Sequence, residues 1–198
     1  MKKGNSKRKN DVIFILFSLV LGLFMGWISK DIAGLETIGA VIENMGIWLF
    51  VSTLLAVYTP EAVRGALHAF TYFAGVIFGY FGHILLLSGS AEIQLLLRYL
   101  ILAVIGGVIG FISGNCRSRE WLGAACTAVP VSLLIAGAYP IYKGFSLVLG
   151  IDIIFAAVLY ILMAPGKMQK LMAMPFIIVF VFALVYFNVF SRIFGGFI

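Results

Sequence analysis

Four residues whose chemistry is ill-suited to lipid stand at one depth in an otherwise apolar chain: Glu43, His83, Arg98 and Asp152. Each lies a few residues inside the outer end of a different apolar stretch, roughly 6–11 Å along a helix axis at about 1.5 Å per residue. Charged groups at such a depth face a bundle interior, pair with one another or line a water-filled cavity. One reading is an outward-facing polar pocket. Arg98 would hold an anionic group or clamp a carboxylate in its fork. Glu43 or Asp152 would carry a proton or cation, and His83 would relay protons near neutral pH. The other reading is structural: Arg98 and Glu43 reach back to the interface, or Arg98 pairs internally with Asp152. Asp152 is the hardest to dismiss. Val148, Leu149, Ile151, Ile153 and Ile154 give it no charged neighbour on its own helix, and Ala156 and Tyr160 continue its face.

A second set lies toward the opposite side. Arg64 and His68 are four apart and share a face with Tyr72, and Glu61 precedes Arg64 by three. They read either as a basic anchor with an interfacial histidine, or as the inner exit of a polar path running past Tyr72 to His83. Asn188, with Tyr186 and Arg192, is a further candidate for the outer group.

These residues must be held by helices. The chain of 198 residues is 63% hydrophobic and 11% charged, with mean hydropathy +1.12. A soluble domain carries about 25% charged residues, so the composition predicts an all-α polytopic transmembrane bundle bounded by lipid. The unbroken apolar runs exclude a β-barrel, whose strands alternate. Windows of about 20 residues give about seven spans: Val12–Ile28, Thr37–Tyr58, Ala62–Leu87, Ile93–Ser113, Trp121–Tyr139, Phe145–Met163 and Leu171–Ile193. Residues 37–44 read equally as an interfacial segment, with the second span then starting near Met45. The domain reading is a basic tail over 1–11, one bundle over 12–194 and a short outer tail over 195–198.

Charge sets the orientation. Five of the 14 Lys and Arg fall in the first nine residues, and Arg64, Arg117, Arg119, Lys167 and Lys170 share their side. The excess of basic residues marks the cytoplasmic face, which predicts a cytoplasmic N-terminus and an outer C-terminus. The net charge of +6 is therefore a topology signal, with anionic lipid as a second use, and not a nucleic-acid footprint.

The stretch from Pro60 to Leu87 is expected to be the central post. Arg64, His68, Tyr72, Gly75, Gly79, Gly82 and His83 fall on one third of its circumference, and Phe70, Phe73, Ile77, Phe81 and Ile84 fall opposite, toward lipid. Glycines recur at spacing four: Gly22 and Gly26, Gly75 and Gly79, then Gly106, Gly110 and Gly114. Such spacing lets two backbones approach closely, within the chain or across a homodimer. Pro130 and Pro175 inside spans predict kinks. No convincing internal repeat is present.

Catalytic motifs are absent. There is no HExxH, no GxSxG, no phosphate-binding loop and no dinucleotide fingerprint. The last span lacks a Lys for a retinal Schiff base. Cys116 and Cys126 form no CxxC and imply neither a disulfide nor a metal. No catalytic residue, cofactor or metal is expected.

The segments MGIWLF, a Pro-containing turn, RGALHAFTYFAGVIFGYF and GFISGNCRSREWLGAA together look like a bacterial family of small multispan integral membrane proteins known only as a domain of unknown function. The resemblance covers roughly Leu21 to Gln169 and rests on Gly, Ala and aromatic positions. It implies a bacterial inner-membrane location and a shared helical bundle, and it carries over no site residue. The functional expectation is a small transporter or transporter subunit with a polar pocket in the outer leaflet. The alternative is a non-catalytic scaffold packed beside another membrane protein. The expected partners are the bilayer and another membrane subunit or a second copy, without nucleic acid.

Overall fold

The computed structural model describes residues 2–32, 45–59, 61–89, 93–118, 120–138 and 147–189; for 2–10 and 98 only the backbone is described. Glu43 lies outside these residues. Those described form seven helices and no strand: α1 (Lys2–Ile32), α2 (Met45–Val57), α3 (Ala62–Ser88), α4 (Ile93–Gly114), α5 (Glu120–Ala138), α6 (Leu147–Met163) and α7 (Lys167–Tyr186). Five are long and apolar enough to cross a membrane: α1 from Asp11 onward, α3, α4, α5 and α7. The described parts of α2 and α6 are equally apolar but shorter, at 13 and 17 residues.

Local chemistry sets the boundaries. The Thr59 hydroxyl donates to the Ala56 carbonyl at 2.6 Å and closes α2. Glu61 then adopts an extended backbone and starts α3. Gly89 ends α3 in the left-handed region (φ 69°), and its amide bonds back to Leu85. Only a residue without Cβ takes that conformation freely. Two boundaries depart from the hydropathy windows. α1 runs back through the basic tail to Lys2. α7 begins at Lys167 instead of Leu171 and runs to Tyr186, and Asn188 follows it at φ 49°; residues 190–193 of the expected span lie outside the described residues. Asparagine tolerates that region better than most side chains, so Asn188 marks the end of α7.

Two helices of the same direction, α1 and α3, form the most extensive contact among the described residues, and α4 packs antiparallel on the other side of α3. α5 packs against both α6 and α7. α2, which touches α3, α4, α5 and α6, joins these two groups, and α4 also meets α5. So α3 is the post of the first group, and α2 holds the whole together. The order of contacts is palindromic about α4: α3 gathers α1 and α2, while α5 gathers α7 and α6. Duplication of a three-helix unit would instead repeat the order.

Both faces of α3 are covered. Phe73, Ile77 and Phe81, expected toward lipid, are buried with Trp48 of α2 and Ala103 of α4. A helix with neighbours on two sides has no free bulky face; the exposed stripe is reduced to side chains such as Val63, Leu67, Phe70 and Phe78. A second core lies where α2, α5 and α6 meet and includes Val57, Leu134, Leu159 and Met163. Phe50 and Phe155 stack between α2 and α6, with ring centroids 4.3 Å apart. Arg64 and the turns after α4 and α6, which carry Arg117, Lys167 and Lys170, lie at one end of the bundle, called here the basic end.

Candidate functional site

The α1–α3 seam carries a row of polar residues, several of them buried. On α1, Asp11, Ser18, Gly22 and Ser29 repeat at intervals that keep them within about 20° of one line at 100° per residue. On α3, Arg64, His68, Tyr72, Gly75, Gly79 and His83 face them. At the basic end, Arg64 Nη1 donates to Asp11 Oδ1 at 2.5 Å and Nε donates to Glu61 Oε2 at 3.1 Å. One guanidinium therefore serves two carboxylates, and the group carries a net negative charge.

One turn deeper, His68 Nδ1 lies 2.7 Å from the Ser18 hydroxyl oxygen, which also lies 3.0 Å from the Phe14 carbonyl. The hydroxyl has one proton. When Ser18 donates to Phe14, Nδ1–H of His68 donates to Ser18; when Ser18 donates to His68, the imidazole accepts. Both side chains are buried. Deeper again, Tyr72 is fully buried, and its hydroxyl has no hydrogen-bond partner among the described residues.

Beyond Tyr72 the seam closes. A methyl group added at Gly22 would lie 3.0 Å from Val76 N, one at Gly26 2.9 Å from Tyr80 N, one at Gly75 2.9 Å from Leu23 N, and one at Gly79 3.0 Å from Leu23 Cα. Backbone meets backbone along this stretch, leaving no room for water. The other glycine row lies against the opposite flank of α3: Gly106 against Phe73, Gly110 against Ala69 and Gly65, and Gly114 against Ala62.

His83 stands at the far end of the seam. Its Nε2 lies 2.7 Å from Asp31 Oδ1, and its ring meets Trp27 edge-on at 4.7 Å. Lys30 sits over the Tyr80 ring at 5.4 Å. His83 is thus attached to α1. Asp152 lies against α2. It is 2% exposed on α6 and packs against Gly46 of α2, where a methyl group would lie 2.7 Å from its Cγ. Of the four residues singled out by depth, His83 and Asp152 are thus held by different helices, Glu43 lies outside the described residues, and Arg98 is placed on α4 by its backbone alone.

The seam flares toward the basic end, where α2 stands away from α1. The resulting cleft has a volume of about 560 Å³. Its walls are apolar: Phe14 and Phe17 from α1, and Val51, Leu54 and Leu55 from α2. Its rim is polar: Asp11, Arg64, Tyr58 and Thr59, with Ser18 and His68 farther in. Apolar walls with a few convergent polar groups, at a few hundred Å³, are what binding sites for small molecules look like. A smaller cavity of about 220 Å³ lies among Trp48, Tyr80, Phe81 and Tyr99.

Asp11, Ser18, Asp31 and Gly46 were not singled out from the sequence. Asp11 and Asp31 flank the first apolar run. The signal for Asp11 and Ser18 is the small, polar line along α1, which the glycine pair Gly22 and Gly26 obscures by pointing to packing alone. Among the described residues no cluster of three or more His, Cys, Asp or Glu is arranged to hold a metal. Cys116 and Cys126 are free and buried. Burial pushes the Cys116 thiol, in the turn after α4, up to about 11, against a smaller downward pull from Arg117. Gln169 of α7 donates to the Cys116 carbonyl at 2.6 Å and is itself buried, which ties that turn to α7.

No protein-family model, curated protein or solved structure matches the chain.

Proposed function

We propose that the chain is a multispan membrane protein that takes up an amphiphilic molecule in the cleft between α1, α2 and α3, as a small transporter or the binding subunit of one. The observation that carries this reading is the pairing of apolar walls with a charged rim in one cleft of about 560 Å³. In this proposal the basic end faces the cytoplasm of a bacterial inner membrane, by the excess of Lys and Arg on that side. The cleft then opens in the inner leaflet. An amphiphile would enter sideways with its tail against Phe17 and Leu54 and its head at Arg64.

Filling the cleft tests the proposal. Leu54→Trp places an indole in it, while Leu86→Trp, at a side chain 72% exposed, serves as control. Purified protein in neutral detergent is titrated with a fluorescent amphiphile, and transport of the same probe is followed in proteoliposomes. Leu54→Trp is expected to lose binding and transport, and Leu86→Trp to keep both. Unchanged binding by Leu54→Trp would remove the cleft from the mechanism.

A second reading keeps the polar site at the far end. Its support is Asp152, a carboxylate 2% exposed on an otherwise apolar helix, since ionisable groups so placed in membrane proteins belong to ion and substrate paths. In that reading Asp152→Asn abolishes flux at unchanged expression and leaves amphiphile binding in the cleft intact. Full flux by Asp152→Asn would end it.

A further inference from the structure

The hydrogen bonds of the Ser18–His68 pair fix what the cleft can recognise, given that the cleft is the binding site proposed above. Ser18 Oγ lies 3.0 Å from the Phe14 carbonyl oxygen and 2.7 Å from His68 Nδ1. One hydroxyl proton serves only one of these contacts. If it went to Nδ1, the Phe14 and Ser18 oxygens would face each other at 3.0 Å with no hydrogen between them. Both contacts are hydrogen bonds in a single arrangement: Ser18 donates to Phe14, and Nδ1–H of His68 donates to Ser18. A neutral ring with its proton on Nδ1 has a bare acceptor at Nε2. That nitrogen has no hydrogen-bond partner among the described residues, and it is not sealed within the wall. His68 lines the cleft one helical turn in from Arg64. Its Nε2 is therefore an acceptor left open at the inner end of the cleft.

The charges around the mouth narrow the ligand further. Asp11 and Arg64 line the cleft and are paired with each other, while Glu61, outside the lining, takes Nε of Arg64. Lys2, Lys3, Lys7, Arg8 and Lys9 precede Asp11 on α1. The approach to the cleft is thus strongly basic and opposes a cationic head. An anionic head suits that approach but brings no proton to Nε2. We infer that the cleft selects an uncharged amphiphile that carries a hydroxyl. The hydroxyl donates to His68 Nε2, and the chain lies along Phe14, Phe17 and Leu55. Ser18 is then a positioning residue: it keeps the ring proton on Nδ1.

The test uses the purified full chain in an amine-oxide detergent, whose head has no hydroxyl, with native mass spectrometry as the readout. The probes are ethylene glycol monodecyl ether, the same ether with its hydroxyl methylated, decyl sulfate and decyltrimethylammonium. The free hydroxyl is expected to bind about tenfold more tightly than the methylated ether, the scale of one buried acceptor satisfied. It should also bind more tightly than either ion. His68→Phe keeps a ring without an acceptor, and Ser18→Ala frees the ring proton to move to Nε2. In each variant the preference for the free hydroxyl should fall below about twofold. Leu54→Trp should lose both ethers. Equal binding of the two ethers by the unaltered protein overturns the hydroxyl assignment and leaves the cleft standing. So does tighter binding of either ion. An unchanged preference in His68→Phe places the hydroxyl elsewhere and overturns the role of His68. An unchanged preference in Ser18→Ala overturns the positioning role of Ser18. If neither ether binds, or if Leu54→Trp retains both, the cleft reading itself falls.

Discussion

Gly26→Ala adds one methyl group where α1 and α3 touch backbone to backbone. Its Cβ would lie 2.7 Å from the Val76 carbonyl carbon and closer still to that oxygen, whereas ordinary contact begins near 3.4 Å. The helices must separate by at least 0.7 Å at this point. Gly22 and Gly79 sit in equally tight contacts on either side, so the separation spreads along the seam. Neither neighbour is the end of a flexible side chain, so no rotamer change relieves the clash. Overpacking of this kind costs about 1–3 kcal/mol. Gly82→Ala is the internal control: it lies on the same helix as Gly79, but an added Cβ meets nothing within 4 Å. There alanine gains about 0.5–1 kcal/mol over glycine from helix propensity. The two variants should therefore move in opposite directions from the parent and differ by roughly 1.5–4 kcal/mol, which for a chain of this length means several degrees in melting temperature. The assay is thermal unfolding in one detergent, followed by dispersity on a sizing column. If Gly26→Ala melts with or above Gly82→Ala, the α1–α3 seam is not packed as described.

Three further outcomes follow from buried polar groups. Tyr72→Phe removes a hydroxyl without a partner among the described residues; stability should hold or rise by up to about 2 kcal/mol, and a loss above about 1 kcal/mol in the same melting assay would reveal a partner. Gln169→Leu strips the Cys116 carbonyl of its donor and should cost about 1–3 kcal/mol, whereas an unchanged melting point would show that α7 is not tied to the turn at this bond. Cys116 should resist a water-soluble maleimide at pH 7.5, because thiolate is the reactive form and burial raises the thiol from 9.0 to about 11. The raised value means that the folded state keeps its proton longer than the unfolded one, so the associated stability is complete below pH 9 and is lost as pH climbs toward 11. Rapid labelling at pH 7.5 would contradict the burial.

Helix boundaries were legible where the chain carries a chemical stop. Thr59-Pro60 and Pro165-Gly166 separate helices in sequence, and α3 and α7 begin directly after them. The hydropathy window set the start of the last span at Leu171, past Lys167 and Lys170, whereas α7 begins at Lys167; Asn188 turns the backbone after Tyr186, and residues 190–193 of that window lie outside the described residues. The small face of α3 was legible as a face. Its partner was not, because periodicity tells which residues share a side of one helix and nothing about which helix meets that side. The pairings that define the candidate site join residues 50 to 53 positions apart: Ser18 with His68, Asp31 with His83, Asp11 with Arg64. They skip α2 altogether. The reading by depth placed His83 and Asp152 at one level, and depth does not tell which neighbours each meets: Asp31 of α1 for His83, Gly46 of α2 for Asp152.

The α1–α3 pair constrains how any movement here can work. Its middle is dry backbone contact at four glycines, and its ends carry the acid–base pairs Asp11–Arg64 and Asp31–His83. Opening this seam would break all of these contacts together, so the pair should move as one body. α2 is held differently. It touches α3, α4, α5 and α6 through less extensive contacts, and it forms the wall of the cleft that faces α1. Its stacked Phe50–Phe155 pair and the Gly46–Asp152 contact attach it to α6. A displacement of α2 with α6 would change the width of the cleft without disturbing the glycine seam. Asp152 would then act through the wall rather than within the cleft, and the two polar ends of the bundle would be linked by one helix.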